Sequence, residues 1–93
     1  MDKIEEYRKE IDEIDSEIIE LFERRMDVVK QVIDFKIRNN FPVTDSSREE
    51  LMLQKNLNKI KNSEYKAYYF EVLNGFLKAS KQMQNDFLSN KKD

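Results

Sequence analysis

Residues 4–35 read IEEYRKEIDEIDSEIIELFERRMDVVKQVIDF, and the apolar spacing of this stretch decides the fold. Ile4, Tyr7, Ile11, Ile14, Ile18 and Leu21, then Val28, Val32 and Phe35, follow one another by threes and fours, interrupted once by Arg25. That is a heptad seam sustained for about five repeats. It predicts one helix from Asp2 to about Arg38, on the order of 37 residues and ~55 Å long at ~1.5 Å per residue. A globule of 93 residues has nowhere to bury such a rod along its full length. A second copy is the economical cover, so the pattern predicts a homodimer.

Working outward, Asn39-Asn40-Phe41-Pro42 is expected to end this helix, because the residue before a proline avoids the α region and proline lacks the N–H. A second helix is predicted from about Ser47 to Lys59. Asp45 or Ser46 can cap it, and Ser46 with Glu49 three residues on fits a capping box. Asn62-Ser63 breaks the pattern again, with Ser63 able to cap. A third helix follows over about Glu64 to Leu88, with Tyr65, Tyr69, Val72, Phe76, Ala79, Met83 and Phe87 at helical spacing. Gly75 inside it marks a candidate close helix approach. The tail 89–93 reads as frayed. The expectation is a single all-α domain over residues 1–93, a three-helix chain in an intertwined homodimeric bundle.

Composition narrows the chemistry. Charged residues make up 39% of the chain yet leave a formal net charge of −2, so no broad attraction to nucleic acid or anionic lipid is expected. There is no cysteine and no histidine, which removes the thiol nucleophile, the disulfide, the commonest general base and the commonest metal ligand. No metal and no cofactor is expected. The start, MDKIEEYRKE, is charged where a secretion signal needs an apolar run, and no segment approaches membrane-spanning length. The expected location is the cytoplasm.

A few residues break the pattern. Arg25 occupies a seam position that asks for an apolar side chain. Either its stem packs while its head reaches water, or it faces a cavity that holds an anion. Arg24 falls outside the seam, so Arg25 is the inward candidate. Lys36 follows by eleven residues, nearly three turns, which puts both cations on nearly one face, ~16 Å apart along the axis. Arg8 shares a flank with Lys36 but lies ~42 Å from it along a straight helix, so only a second chain's Arg8 could join the same ligand. Arg48 is a cation in a first helical turn, where the macrodipole disfavours it, whereas Glu49 is welcome there. Ser80 and Gln84 project from a largely apolar face shared with Leu73 and Leu77. They suit either an interhelical hydrogen bond or neutral donors to a buried ligand. Arg8, Arg25, Lys36, Arg48, Glu49, Ser80 and Gln84 together describe a binder of a small dianion, working by positioning and electrostatics rather than covalent chemistry.

These residues also carry a resemblance. The pattern Arg8-x2-Ile11-x2-Ile14-Asp15-x2-Ile18-Ile19-x-Leu21-x3-Arg25, then Lys36, then Pro42-Val43-x-Asp45-x2-Arg48-Glu49, with Ser80 and Gln84 in the third helix, resembles the small all-helical type II chorismate mutases. The joint spacing spans about Tyr7 to Leu88. The resemblance implies an intertwined homodimer with two equivalent active sites that rearrange chorismate to prephenate on the route to phenylalanine and tyrosine. It further implies that Arg25 and the partner chain's Arg8 hold the substrate's two carboxylates. Lys36 and Gln84 would donate to the ether oxygen of the breaking C–O bond, Lys36 also touching a carboxylate. Glu49, with backbone near Asp45, would bind the ring hydroxyl, and Ser80 and Arg48 would complete the wall. On this reading Lys36, Gln84, Arg25 and Glu49 are the catalytic set. No regulatory or dehydratase segment is apparent, so phenylalanine feedback within the chain is not expected.

Two other readings fit the same residues. An isochorismate–pyruvate lyase uses the same fold with a similar cationic pocket, although Glu49 as a hydroxyl acceptor and the full-length corner before it favour the mutase. A non-catalytic helical dimerisation or adaptor module would treat the odd cations as surface and register residues only.

Overall fold

A computed structural model describes residues 2–42 and 45–91, so Met1, Val43, Thr44, Lys92 and Asp93 lie outside the described residues. Helix α1 covers Lys3–Arg38, α2 covers Ser46–Asn58 and α3 covers Lys66–Lys91, with a short 3-10 turn at Ser63–Tyr65 before α3. There is no strand among the described residues. The all-α, three-helix expectation holds.

The first helix starts where its chemistry allows. Asp2 takes extended geometry and its Oδ1 accepts the Glu5 N–H at 2.9 Å, while Glu5 and Glu6 face the positive end of the dipole. Its end differs in cause from the expected proline stop. Asn40 lies in the left-handed region at φ 59. Phe41 N–H donates to the Lys36 carbonyl at 2.9 Å and Asn40 N–H to the Ile37 carbonyl at 3.4 Å. This is a Schellman motif, completed by the rings of Phe35 and Phe41 with centroids 5.8 Å apart. The helix therefore stops at Asn39–Asn40, where asparagine tolerates positive φ. Pro42 comes after the stop has already been made.

Of the two caps open for α2 the structure takes one, and the cap expected for the next turn is corrected. Asp45, not Ser46, caps α2, its Oδ1 accepting the Arg48 N–H at 3.1 Å. Ser46 is already helical, so it forms no capping box with Glu49. Asn62, not Ser63, caps the next turn, accepting the Glu64 N–H at 3.0 Å. An asparagine carbonyl one residue earlier suits the tighter 3-10 turn that replaces the expected start of α3. At its far end α3 runs on to Lys91, past the expected stop at Leu88.

Helix α3 packs on both other helices, and α1 and α2 make no backbone-level contact among the described residues. Phe22 meets Phe76, Arg25 reaches Ser80, and Lys30 lies over Phe87. The residue numbers rise together, so α1 and α3 run parallel, and α2 runs back between them in sequence. The stripe of α1 that faces α3 contains Phe22, Met26, Val29, Ile33 and Ile37, all at least half-covered. The seam read from sequence is a different stripe: its members from Ile4 to Phe35 remain 45–59% exposed. Residues 2–20 are all exposed. Only Ile33, Met52 and Leu73 form a buried hydrophobic core among the described residues.

The chain is accordingly elongated. Its extents are 55 × 27 × 15 Å and its radius of gyration is 16.9 Å, against about 12 Å for a compact chain of this length. Its accessible surface of 7943 Å² is about 2,200 Å² more than the ~5,700 Å² expected for a folded 11.3 kDa monomer. A single chain thus leaves uncovered an excess of surface the size of one partner's share in an obligate interface, the exposed apolar seam of α1 within it. No helix is long and apolar enough to cross a membrane among the described residues. Gly75 has open space around it, with nothing within 4 Å of where a Cβ would stand, so it marks no close helix approach within the chain.

Candidate active site

The C-terminal half of α1, the start of α2 and the last turns of α3 enclose a groove of about 500 Å³. Its polar lining is Arg25, Lys36, Arg48 and Gln84, and Val28, Val29, Val32 and Ile33 supply the apolar wall. The local reason is helical spacing. Arg25, Val29, Ile33 and Lys36 succeed one another by four, four and three, so one flank of α1 presents a cation at each end of an apolar strip. Arg48 enters from the first turn of α2, where its backbone N–H donates to the Asp45 cap. Gln84 comes from α3 opposite. Three cations therefore surround one apolar hollow, a potential well for a small anion with more than one negative charge.

Arg25 is held rather than free. Its Nη1 donates to Ser80 Oγ at 3.1 Å, and its guanidinium lies 5.1 Å from the centroid of the Phe76 ring. Phe76 and Ser80 are four residues apart on α3, so ring and hydroxyl stand on one face beneath the arginine. Arg24 is exposed and Arg25 half-buried. Lys36 also lines a hollow of about 440 Å³ with Phe41, Pro42 and Asp45, and an outer hollow of about 630 Å³ along Val28, Val32 and Phe35. The corner after α1 thus meets the groove at Lys36. The outer hollow runs onto the uncovered stripe of α1.

The remaining expected residues stand apart from this lining. Glu49 is half-buried, with its Oε2 3.2 Å from the Nζ of Lys81 on α3. Asp45 is exposed and its Oδ1 is occupied by the α2 cap. Arg8 is exposed on the projecting N-terminal part of α1, about 42 Å from Lys36 along the helix axis. Within one chain it meets none of the others. Two residues that contact the candidate site residues, Phe76 beside Arg25 and Lys81 beside Glu49, were not read from sequence. Phe76 could have been found, since it lies four residues before Ser80. Lys81 could not, because only the packing of α2 on α3 brings it to Glu49.

The chain matches the model of the family described as chorismate mutase type II over residues 7–85. It is 33% identical over 88 residues to the T-protein of Haemophilus influenzae, covering 94% of this chain and 23% of that protein. It is 40% identical over 58 residues to a bifunctional chorismate mutase/prephenate dehydratase of Buchnera aphidicola, covering 60% of this chain and 15% of that protein. With the chorismate mutase of Methanocaldococcus jannaschii it shares 38% identity over 50 residues, 54% of this chain and 50% of that one. The chain therefore spans half or less of the length of these relatives. No solved structure gives a significant match. The matched span runs from Tyr7 to Asn85 and takes in Arg8, the cationic groove and Gln84, and the chain belongs to the type II chorismate mutase family.

Proposed function

We propose that this chain catalyses the rearrangement of chorismate to prephenate, as a cytoplasmic homodimer with two shared sites. The observation that carries the reading is the groove in which Arg25, Lys36, Arg48 and Gln84 converge on an apolar wall. Membership of the family supports it. The reaction is concerted and unimolecular: the ether C–O bond breaks as a C–C bond forms, with no proton, electron or group exchanged with the protein. It requires the enolpyruvyl arm to be folded over the ring, an entropic demand that paired cations on the two carboxylates can meet. It also requires donors aimed at an ether oxygen that gains negative charge in the transition state.

Arg25, fixed by Ser80 and Phe76, takes one carboxylate, and Arg8 of a second chain takes the other. Lys36 and Gln84 donate to the ether oxygen, Lys36 also reaching a carboxylate. Such a donor can be worth roughly 3–4 kcal/mol. Glu49, near the Asp45 backbone, accepts the ring hydroxyl, and Arg48 closes the wall. The second chain is required twice over. It brings Arg8 to a groove that its own chain's Arg8 cannot reach, and it covers the exposed seam of α1.

The test is to supply chorismate and isochorismate separately to purified protein. Prephenate from chorismate is the expected product. Pyruvate from isochorismate without prephenate from chorismate would assign the lyase reaction instead, and inertness toward both would leave a dimerisation module.

A further inference from the structure

Three ion pairs occur among the described residues, and two of them, Lys3–Glu6 and Asp34–Arg38, lie one turn apart within α1. The third, Lys81 Nζ to Glu49 Oε2 at 3.2 Å, joins two helices. Its position is unusual as well. Glu49 follows Arg48, which lines the groove, and Lys81 stands between Ser80, which holds Arg25, and Gln84, which lines the groove three residues on. The pair therefore ties α2 to α3 at the edge of the cationic hollow. It is half-exposed, its side chains 52% and 26% accessible, and pairs of that kind contribute little to stability. Helix docking is a weak reason for it to be there.

Geometry gives a stronger one. A glutamate side chain swings about three bonds, and beside a groove lined by Arg48 and Lys36 it could turn to those cations instead of waiting for substrate. An ammonium on Oε2 fixes the carboxylate and occupies one oxygen. Oε1 keeps its lone pairs to accept a hydroxyl. We propose that Lys81 is a positioning residue, holding Glu49 with one carboxylate oxygen directed at the hydroxyl of a bound cyclic substrate and away from the carboxylate-binding cations. This rests on the mutase reading and on Glu49 as the hydroxyl acceptor.

A contact to a spectator hydroxyl acts in the ground state and the transition state alike, so its loss appears mainly in KM. Lys81→Met is expected to raise KM for chorismate about tenfold with kcat within about threefold, helix content and melting being unchanged. Lys81→Arg restores KM, because a guanidinium also pairs with a carboxylate. In a Glu49→Gln background, Lys81→Met adds nothing further, since the group it positions is already gone. An active wild type whose Lys81→Met variant keeps the wild-type KM overturns the proposal and leaves the mutase reading standing. So does a Lys81→Met effect that is undiminished beside Glu49→Gln. A wild-type chain that turns over no chorismate overturns the mutase reading itself, and this inference with it.

Discussion

Arg25 is held by two partners from a single helix, the Ser80 hydroxyl and the Phe76 ring, before any ligand arrives. Preorganisation of this kind spares the substrate the cost of ordering a long flexible cation. Ser80→Ala should therefore raise KM about threefold to tenfold with little change in kcat, as a part-buried hydrogen bond has a net worth of about 0.5–1.5 kcal/mol. Steady-state kinetics with chorismate would show it, and an unchanged KM would mean that Arg25 finds its place unaided. Lys36 and Gln84 carry a heavier demand. On the proposed mutase reading, Lys36→Ala and Gln84→Ala should each lower kcat at least ~10²-fold while the circular dichroism spectrum stays helical, because each would remove a donor to the ether oxygen as it gains negative charge. Variants that lose only stability would point to the dimerisation module. At this scale the sequence was informative within a helix. Arg25 and Lys36 were found by spacing, and Phe76 was findable, whereas the Glu49–Lys81 pair depends on two helices meeting.

Helix ends show why boundaries were harder to read than helices. Capping is chosen among near-equivalent neighbours: Asp45 over Ser46, Asn62 over Ser63, and a left-handed asparagine over a proline. Each choice turns on one backbone torsion that no periodicity reports. The corner after α1 offers a direct check. Asn40→Gly should be neutral or slightly stabilising, and Asn40→Val should cost about 1–2 kcal/mol, since a β-branched residue resists positive φ. Denaturant unfolding would measure both. If Asn40→Val is harmless, the Schellman end does not fix the corner and Pro42 regains that role. The corner matters because it is where Lys36 meets Phe41, Pro42 and Asp45.

For the whole molecule, the excess surface of about 2,200 Å² over a compact monomer is the dominant fact. The three buried side chains among the described residues cannot offset the conformational entropy of a 93-residue chain. Folding and assembly should therefore be one event, with the melting temperature rising with protein concentration. A concentration-independent transition would contradict that coupling. Shared sites can be tested by complementation. Arg8→Ala and Lys36→Ala chains are each expected to be inactive alone. After exchange, half the dimers are mixed and each has one intact site, so about a quarter of wild-type activity should return. No recovery after proven exchange would remove Arg8 from the site. The sequence by itself determined that the chain is helical, that α1 is too long to bury alone, and which flank carries Arg25 and Lys36, because helical period converts spacing into direction. Only the tertiary structure decided which stripe of α1 the chain covers for itself. Two apolar stripes lie side by side on that helix with the cations at their border, and only the packing of α3 assigns one to the chain's own core and leaves the other exposed. The same packing brought Arg48 and Gln84 to the groove and Lys81 to Glu49. Contacts between helices depend on how they dock, and no spacing along one helix encodes that.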